Sequence, residues 1–288
     1  MNIDEIAKKW RRLDPLPFEE ISKARNMTHE AVQLIAGAGI SFAQKKQDDS
    51  HTNCEWSRSL KALVGNLFGE KNELCLGLNI ADFKLLLLKE NWTIIEELNL
   101  NDKNLEDALA WMKDNFENNG LDFNQFTLDK HYQIPVNHIS SGGKFAIENE
   151  HAFQELSDYF ANADLVLRTY INELPNAIPV RCWPHHFDIA TLINIGEESL
   201  QSIGIGLSPG DNKNPEPYFY VTMWPYPDLQ KVTFKEMKIG KWNYEGWIGA
   251  SLKATKILKN QDEKTQCETV VIFIKESVQY IIDALIKE

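Results

Sequence analysis

Apolar residues recur at helical spacing over residues 28–42, where Ala31, Leu34, Ile35, Ala38 and Phe42 share one face and Asn26 or Thr28 can cap the start. A polar loop at 45–50 follows, then a short apolar run at 60–64 that reads as a strand. Residues 74–80 alternate through Gly77, residues 83–88 are continuously apolar as in a strand covered on both faces, and residues 92–98 continue the meander. Leu105, Leu109, Met112 and Phe116 restore the helical period. The polar stretch 118–144 reads as a connector, with Ser140-Ser141-Gly142-Gly143-Lys144 as a flexible linker. Beyond it, Phe153, Leu156, Phe160, Ala163, Leu167, Tyr170 and Ile171 predict a long core-facing helix. Strands are predicted at 180–183, 187–195, 203–207 and 218–224, and helices at 248–258 and around Ile274, Val278, Ile281 and Ile282. Strands grouped between flanking helices predict an α+β protein with antiparallel sheets.

The pattern also repeats. Residues 74–82 and 203–211 each run as an apolar strand through an aligned glycine (Gly77, Gly206) to an aligned aspartate (Asp82, Asp211). Upstream of each lies a polar segment with histidine, at 49–53 and at 183–188, and a helical stretch before that. The economical reading is an internal duplication giving two related halves, 1–144 and 145–288, each an antiparallel sheet flanked by helices. A seam between such halves is a favoured place for a small-molecule site.

Composition narrows the partners. With 288 residues, 43% apolar and 10% aromatic, the chain can bury a sizeable core. A formal charge of -12, from 30 Lys and Arg against 42 Asp and Glu, gives an acidic surface that disfavours nucleic acid and membrane partners. The four cysteines, at 54, 75, 182 and 267, form no CxxC pair and read as reduced thiols of a cytoplasmic protein. No signal-peptide core and no run of about 18 apolar residues is present.

Leu34-Ile35-Ala36-Gly37-Ala38-Gly39-Ile40-Ser41 resembles the first nucleotide-binding motif of sirtuins. Sirtuins continue with a Gly-Ile-Pro-Asp-Phe-Arg-like stretch, whereas this chain continues with Phe42-Ala43-Gln44-Lys45-Lys46 and lacks paired CxxC zinc ligands. The apolar spacing fits a helix rather than the strand-turn-helix of a dinucleotide loop, so NAD is disfavoured and the small residues read as a close packing surface against a sheet.

Two constellations carry candidate chemistry. In Cys182-Trp183-Pro184-His185-His186-Phe187-Asp188, an extended chain would put His185 beside Trp183 and Phe187, and His186 beside Asp188 on the opposite face. His186 could then act as a general base oriented by Asp188, or His186 and Asp188 could bind a divalent metal with His51 as a third ligand. Ordinary half-buried hydrogen-bonding histidines are the bland alternative. The second constellation is the strand bearing Tyr218, Tyr220 and Trp224 on one face, with Glu216 at its entry, which suits a flat apolar, sugar-like or cationic ligand. Core packing is its alternative, and the flanking prolines 215, 217, 225 and 227 place the strand at a sheet edge or cleft rim.

Trp183 to Asp188, Gly206 to Asp211 and Pro217 to Pro227, with a weaker extension to residues 48–53, together resemble a group of bacterial proteins to which no activity is assigned. The resemblance implies a shared architecture alone. The leading expectation is a cytoplasmic small-molecule-binding protein with Tyr218, Tyr220, Trp224 and Trp183 as walls and His185, His186, Asp188 and Glu216 as polar anchors. The rivals are a hydrolase or isomerase working through His186 and Asp188, with or without metal, and a partner-binding protein forming a homodimer through exposed aromatics.

Overall fold

The computed structural model describes residues 2–285 apart from 72, 173, 175 and 196–200. Along the chain run α1 (Ile3–Ala7), α2 (Phe18–Phe42), β1 (Cys54–Ser57), β2 (Ala62–Gly65), β3 (Leu74–Asn79), β4 (Lys84–Lys89), β5 (Ile94–Asn99) and α3 (Leu105–Asn118). After a 3-10 turn at Phe123–Gln125 come α4 (Glu150–Ile171), β6 (Arg181–Trp183), β7 (Asp188–Asn194), β8 (Ser202–Ser208) and β9 (Tyr218–Trp224). The chain continues through β10 (Lys241–Asn243), β11 (Gly249–Lys253), α5 (Ala254–Ile257) and α6 (Glu263–Leu285). The fold is α+β, with antiparallel strand pairing. Among the described residues no helix is long and apolar enough to cross a membrane.

Two compact units divide the chain. The first holds Leu16–Ser157 and Arg181–Phe187, and the second holds Met1–Pro15, Asp158–Val180 and Asp188–Glu288. The units therefore interleave in sequence, with the first fifteen residues grouped with the C-terminal strands and the 181–187 segment grouped with β1.

In the first unit the strands lie in the order β6-β1-β2-β3-β4-β5. Leu63, Leu76, Leu78, Leu85 and Leu87 are buried on the face toward α2, where Ile35 packs so closely that a Cβ at Gly65 would lie 2.4 Å from its Cγ2. Ala62, Val64, Cys75, Leu86 and Leu88 form a second buried cluster on the other face, with Leu60 and Trp92 packed against it. Burial on both faces explains why β4 reads as an unbroken leucine run. The helix α2 starts ten residues earlier than the apolar period suggests, because Ile21 and Ala24 extend its buried face past the polar residues Lys23, Arg25 and Asn26. Pro17 is the N-cap, and Thr28 is an interior residue whose buried hydroxyl donates to the Ala24 carbonyl at 2.7 Å. Residues 118–144 are not a loose connector either. Phe126 packs against Phe42, the Thr127 N–H donates to the Ser41 hydroxyl at 2.9 Å, and Tyr132 reaches Gln33, so the segment is laid along α2.

In the second unit the strand order is β7-β8-β9-β11-β10, with α6 across the face that buries Ile205, Leu207, Phe219, Val221 and Leu252. Residues 248–258, expected as a helix, are β11 followed by a single helical turn, α5. Ala250 and Leu252 alternate inward there, while Ile248 and Leu252, four residues apart, also fit helical spacing. β9 is an interior strand, paired with both β8 and β11, and not the edge that its flanking prolines suggested. Pro217 and Pro225 lie just outside its seven residues, so they cost the ladder no hydrogen bond. The N-terminal residues are held by two buried amides. Asn162 accepts from the Arg11 N–H at 2.8 Å and donates to its carbonyl at 2.7 Å, and Gln266 does the same for Leu13 at 2.9 Å each way.

Candidate functional site

The first unit contains a cleft of about 440 Å³, opening over the sheet face turned away from α2. That volume falls within the about 300–1,000 Å³ typical of ligand pockets. Val64 and Cys75 form an apolar floor and Trp92, at the β4–β5 turn, an aromatic wall. Burial pushes the Cys75 thiol up to about 12, so it contributes packing and not a nucleophile. Polar groups converge from separate elements: Lys46 and His51 from the loop before β1, Glu55 from β1 and Arg181 from β6. With Cys54 opposite Cys182, antiparallel register sets Glu55 across from Arg181, and their charged groups approach to 3.5 Å.

The loop that carries His51 is firmly placed. Asn66 donates from its amide to the Ser50 and Asn53 carbonyls at 2.9 and 3.0 Å, and the His51 Nδ1 accepts from the Lys46 N–H at 3.3 Å. Desolvation lowers the His51 pKa, favouring the neutral ring that this acceptor role requires. The helical glycine Gly39 gives the loop room, since a Cβ there would lie 2.3 Å from the His51 carbonyl oxygen. Gly37 and Gly39 thus sit inside one continuous helix and are packed against chain segments instead of a sheet.

The Trp183 to Asp188 segment is not extended. β6 ends at Trp183, and a turn closed by the Phe187 N–H donating to the Trp183 carbonyl at 2.7 Å leads to β7. Phe187 is buried with φ 54, stacked on His29 at 5.2 Å between ring centroids. The expected alternation, which put His186 and Asp188 on one face, is therefore absent. His29 Nε2 and the Gln33 amide both donate to the Pro184 carbonyl, at 2.8 and 2.9 Å, and dock the turn on α2. Gln33 Oε1 in turn accepts from Lys130 at 2.9 Å and Tyr132 at 3.1 Å. His185 lies between Trp183, Tyr132 and His186, whose ring is 4.4 Å away. Burial is the main cause that takes His29 and His185 down to about 4, so both are neutral near pH 7. Burial likewise raises the Glu30 carboxyl and lowers the Lys130 ammonium.

In the second unit the sequence-predicted aromatic face does form. Tyr218, Tyr220 and Trp224 share one side of β9. The Tyr220 ring crosses β8 above Gly206, and its hydroxyl donates to the Asp188 carboxylate on β7. Asp188 thus serves as the partner of a buried phenol, and together with burial it holds the Tyr220 pKa well above its ordinary value. Tyr218 donates to Asp211 at 3.1 Å, and burial lifts its pKa to about 12. Trp224 is 63% exposed and packs edge-on against Tyr226. Glu216, before the strand, is tied to groups on β11 and α5. One of its oxygens accepts from the Thr255 N–H at the start of α5, at 2.8 Å, and the other faces the Lys253 ammonium at 3.3 Å.

Among the described residues no three His, Cys, Asp or Glu side chains converge as metal ligands, so His51, His186 and Asp188 do not make up the metal set the sequence offered. Of the residues singled out from sequence, only His51 lines the cleft. Glu55, Arg181, Lys46 and Trp92 were missed. The available signal was a charged residue within each of two strands that otherwise bury Cys54, Trp56 and Cys182. No protein-family model, curated protein or solved structure matches the chain.

Proposed function

We propose that this is a small-molecule-binding protein whose site is the first-unit cleft. The observation that carries the reading is the meeting of an apolar floor and an indole wall with the Glu55–Arg181 pair inside one cavity of about 440 Å³. The general-base alternative through His186 and Asp188 is less well supported, because the turn removes the alternation that aligned them and Tyr220 occupies the Asp188 carboxylate. A cytoplasmic location fits four buried cysteines with no disulfide among them.

The internal duplication belongs to the same proposal. What supports it is the recurrence of a long helix, a run of antiparallel strands and a closing helix, first from α2 to α3 and again from α4 to α6. The aligned glycines Gly77 and Gly206 fall in the third strand of each run, β3 and β8.

Native mass spectrometry of the untagged full chain tests the binding reading. A small molecule should be retained by the parent and lost from Trp92→Ala. Retention unaffected by that change would move the ligand elsewhere. A chain that carries nothing, and whose melting temperature no compound in a metabolite library shifts, would remove the reading.

A further inference from the structure

We infer that the cleft takes a neutral sugar, a pyranose whose ring face packs on Trp92 and whose hydroxyls bond the His51 imidazole and the Asn53 carboxamide. This deepens the reading of the cleft as a binding site and rests on it. His51 and Asn53 are each 4% exposed, and both lie on the cleft lining. The His51 Nδ1 accepts from the Lys46 N–H, so the ring proton is on Nε2, and that N–H has no hydrogen-bond partner among the described residues. The side-chain amide of Asn53 likewise has none among the described residues. Both groups stay accessible at the cavity surface. The two hydrogens of the Asn66 amide go to backbone carbonyls, which leaves its oxygen as a further acceptor on the lining. Buried polar groups are ordinarily paired within a protein, so those left over on a cavity wall indicate what the cavity holds.

These groups offer donors and acceptors without charge. A hydroxyl donates and accepts at one atom, so neighbouring hydroxyls of a sugar satisfy both the carboxamide, which offers one of each, and the imidazole N–H. Trp92, with Val64 and Cys75, gives the cavity one apolar side, suited to the C–H face of a pyranose. Elsewhere on the lining polar side chains outnumber apolar ones. A flat heteroaromatic ring is polar along its edge alone and would desolvate them without hydrogen-bonding in return. An ion gains little either, because Lys46 and Arg181 balance Glu55 and Glu90 in sign around the cavity.

Isothermal titration calorimetry on the full chain tests this, with D-glucose, D-galactose, D-mannose, D-xylose and N-acetyl-D-glucosamine, and with adenine and uracil as flat heteroaromatic controls. At least one sugar should bind, and Asn53→Leu and Trp92→Ala should each weaken it about tenfold or more. Asn53→Leu keeps the bulk and removes the donor and acceptor; should it not fold, Trp92→Ala decides. Sugar binding that survives these changes overturns the proposal, as does binding of adenine or uracil in place of every sugar. Absence of heat from every sugar also overturns the ligand class. Native mass spectra then judge the cleft independently, since a molecule retained by the parent and lost from Trp92→Ala keeps it as a binding site for another class of ligand.

Discussion

Tyr220 lies directly over Gly206 on the neighbouring strand. A Cβ at position 206 would fall 2.6 Å from the Tyr220 hydroxyl oxygen and 2.8 Å from the Ala190 Cβ. The glycine is what lets the phenol cross β8 and reach Asp188 on β7. Gly206→Ala should therefore destabilise the protein by about 1–3 kcal/mol through overpacking. Tyr220→Phe, which keeps the ring and loses the hydrogen bond, should cost about 1–2 kcal/mol. Urea denaturation of Gly206→Ala, Tyr220→Ala and Gly206→Ala/Tyr220→Ala gives the coupling. The alanine pair should cost clearly less than the sum of its singles, because removing the ring removes the clash, and additive losses would show that the two residues do not meet.

Acid should weaken the first unit through its part-buried histidines His29 and His185. His29 falls from an ordinary 6.5 to about 4 on burial, so the unfolded chain takes up a proton in that interval and the folded one does not. The stabilising difference is complete above pH 6.5 and is lost as pH falls toward 4, an effect of at most about 3 kcal/mol for this largely buried ring. His185 titrates in the same window and adds to it. His29→Phe keeps the stack on Phe187 but has no proton to gain, so its urea midpoint should fall less than the parent's between pH 7 and pH 4.5. Equal falls would mean that His29 is not desolvated as its position demands.

Most elements could be read from periodicity where one face alone decides the pattern. Residues 218–224 alternate cleanly because one side packs under a helix, and α3 and α4 keep a 3.6-residue apolar stripe for the same reason. Residues 248–258 misled because Ile248 and Leu252 are four apart as on a helix while Ala250 and Leu252 also alternate. The Trp183 to Asp188 motif misled for a different reason: its Pro184 carbonyl and Phe187 ring dock the turn on Gln33 and His29 of α2, a tertiary contact with no local signature. The cleft was unreadable because Glu55 and Arg181 are neighbours only through the β1–β6 pairing, and Trp92 belongs to a turn with φ 62 that no propensity singles out.

The N-terminal fifteen residues should depend on two buried amides. Gln266 is 1% exposed and satisfies both backbone groups of Leu13, while its neighbour Trp10 donates an indole N–H to the same oxygen at 3.3 Å. Gln266→Leu conserves bulk but leaves a buried N–H and C=O without partners, a loss of about 2–4 kcal/mol. Limited proteolysis should then cut within residues 2–15 at conditions where the parent resists. A variant as resistant as the parent would show that the segment is held by Ile6, Trp10 and Leu13 alone.

Gly39 offers a test in which two physical effects predict opposite signs. It lies inside α2, where replacing glycine with alanine ordinarily stabilises a helix by about 1 kcal/mol. Here the added Cβ would sit 2.3 Å from the His51 carbonyl oxygen and 3.2 Å from the Thr52 Cα, both of them backbone atoms. The loop cannot retreat easily, since Asn66 ties the carbonyls of Ser50 and Asn53. Steric displacement should therefore win, and Gly39→Ala should lower stability by about 1–3 kcal/mol in urea denaturation. The same shift moves His51 and Asn53 at the cleft, so the variant should also retain less small molecule in native mass spectra than the parent. A variant at least as stable as the parent would mean that helix propensity outweighs the contact, and that the loop carrying His51 is softer than its hydrogen bonds indicate.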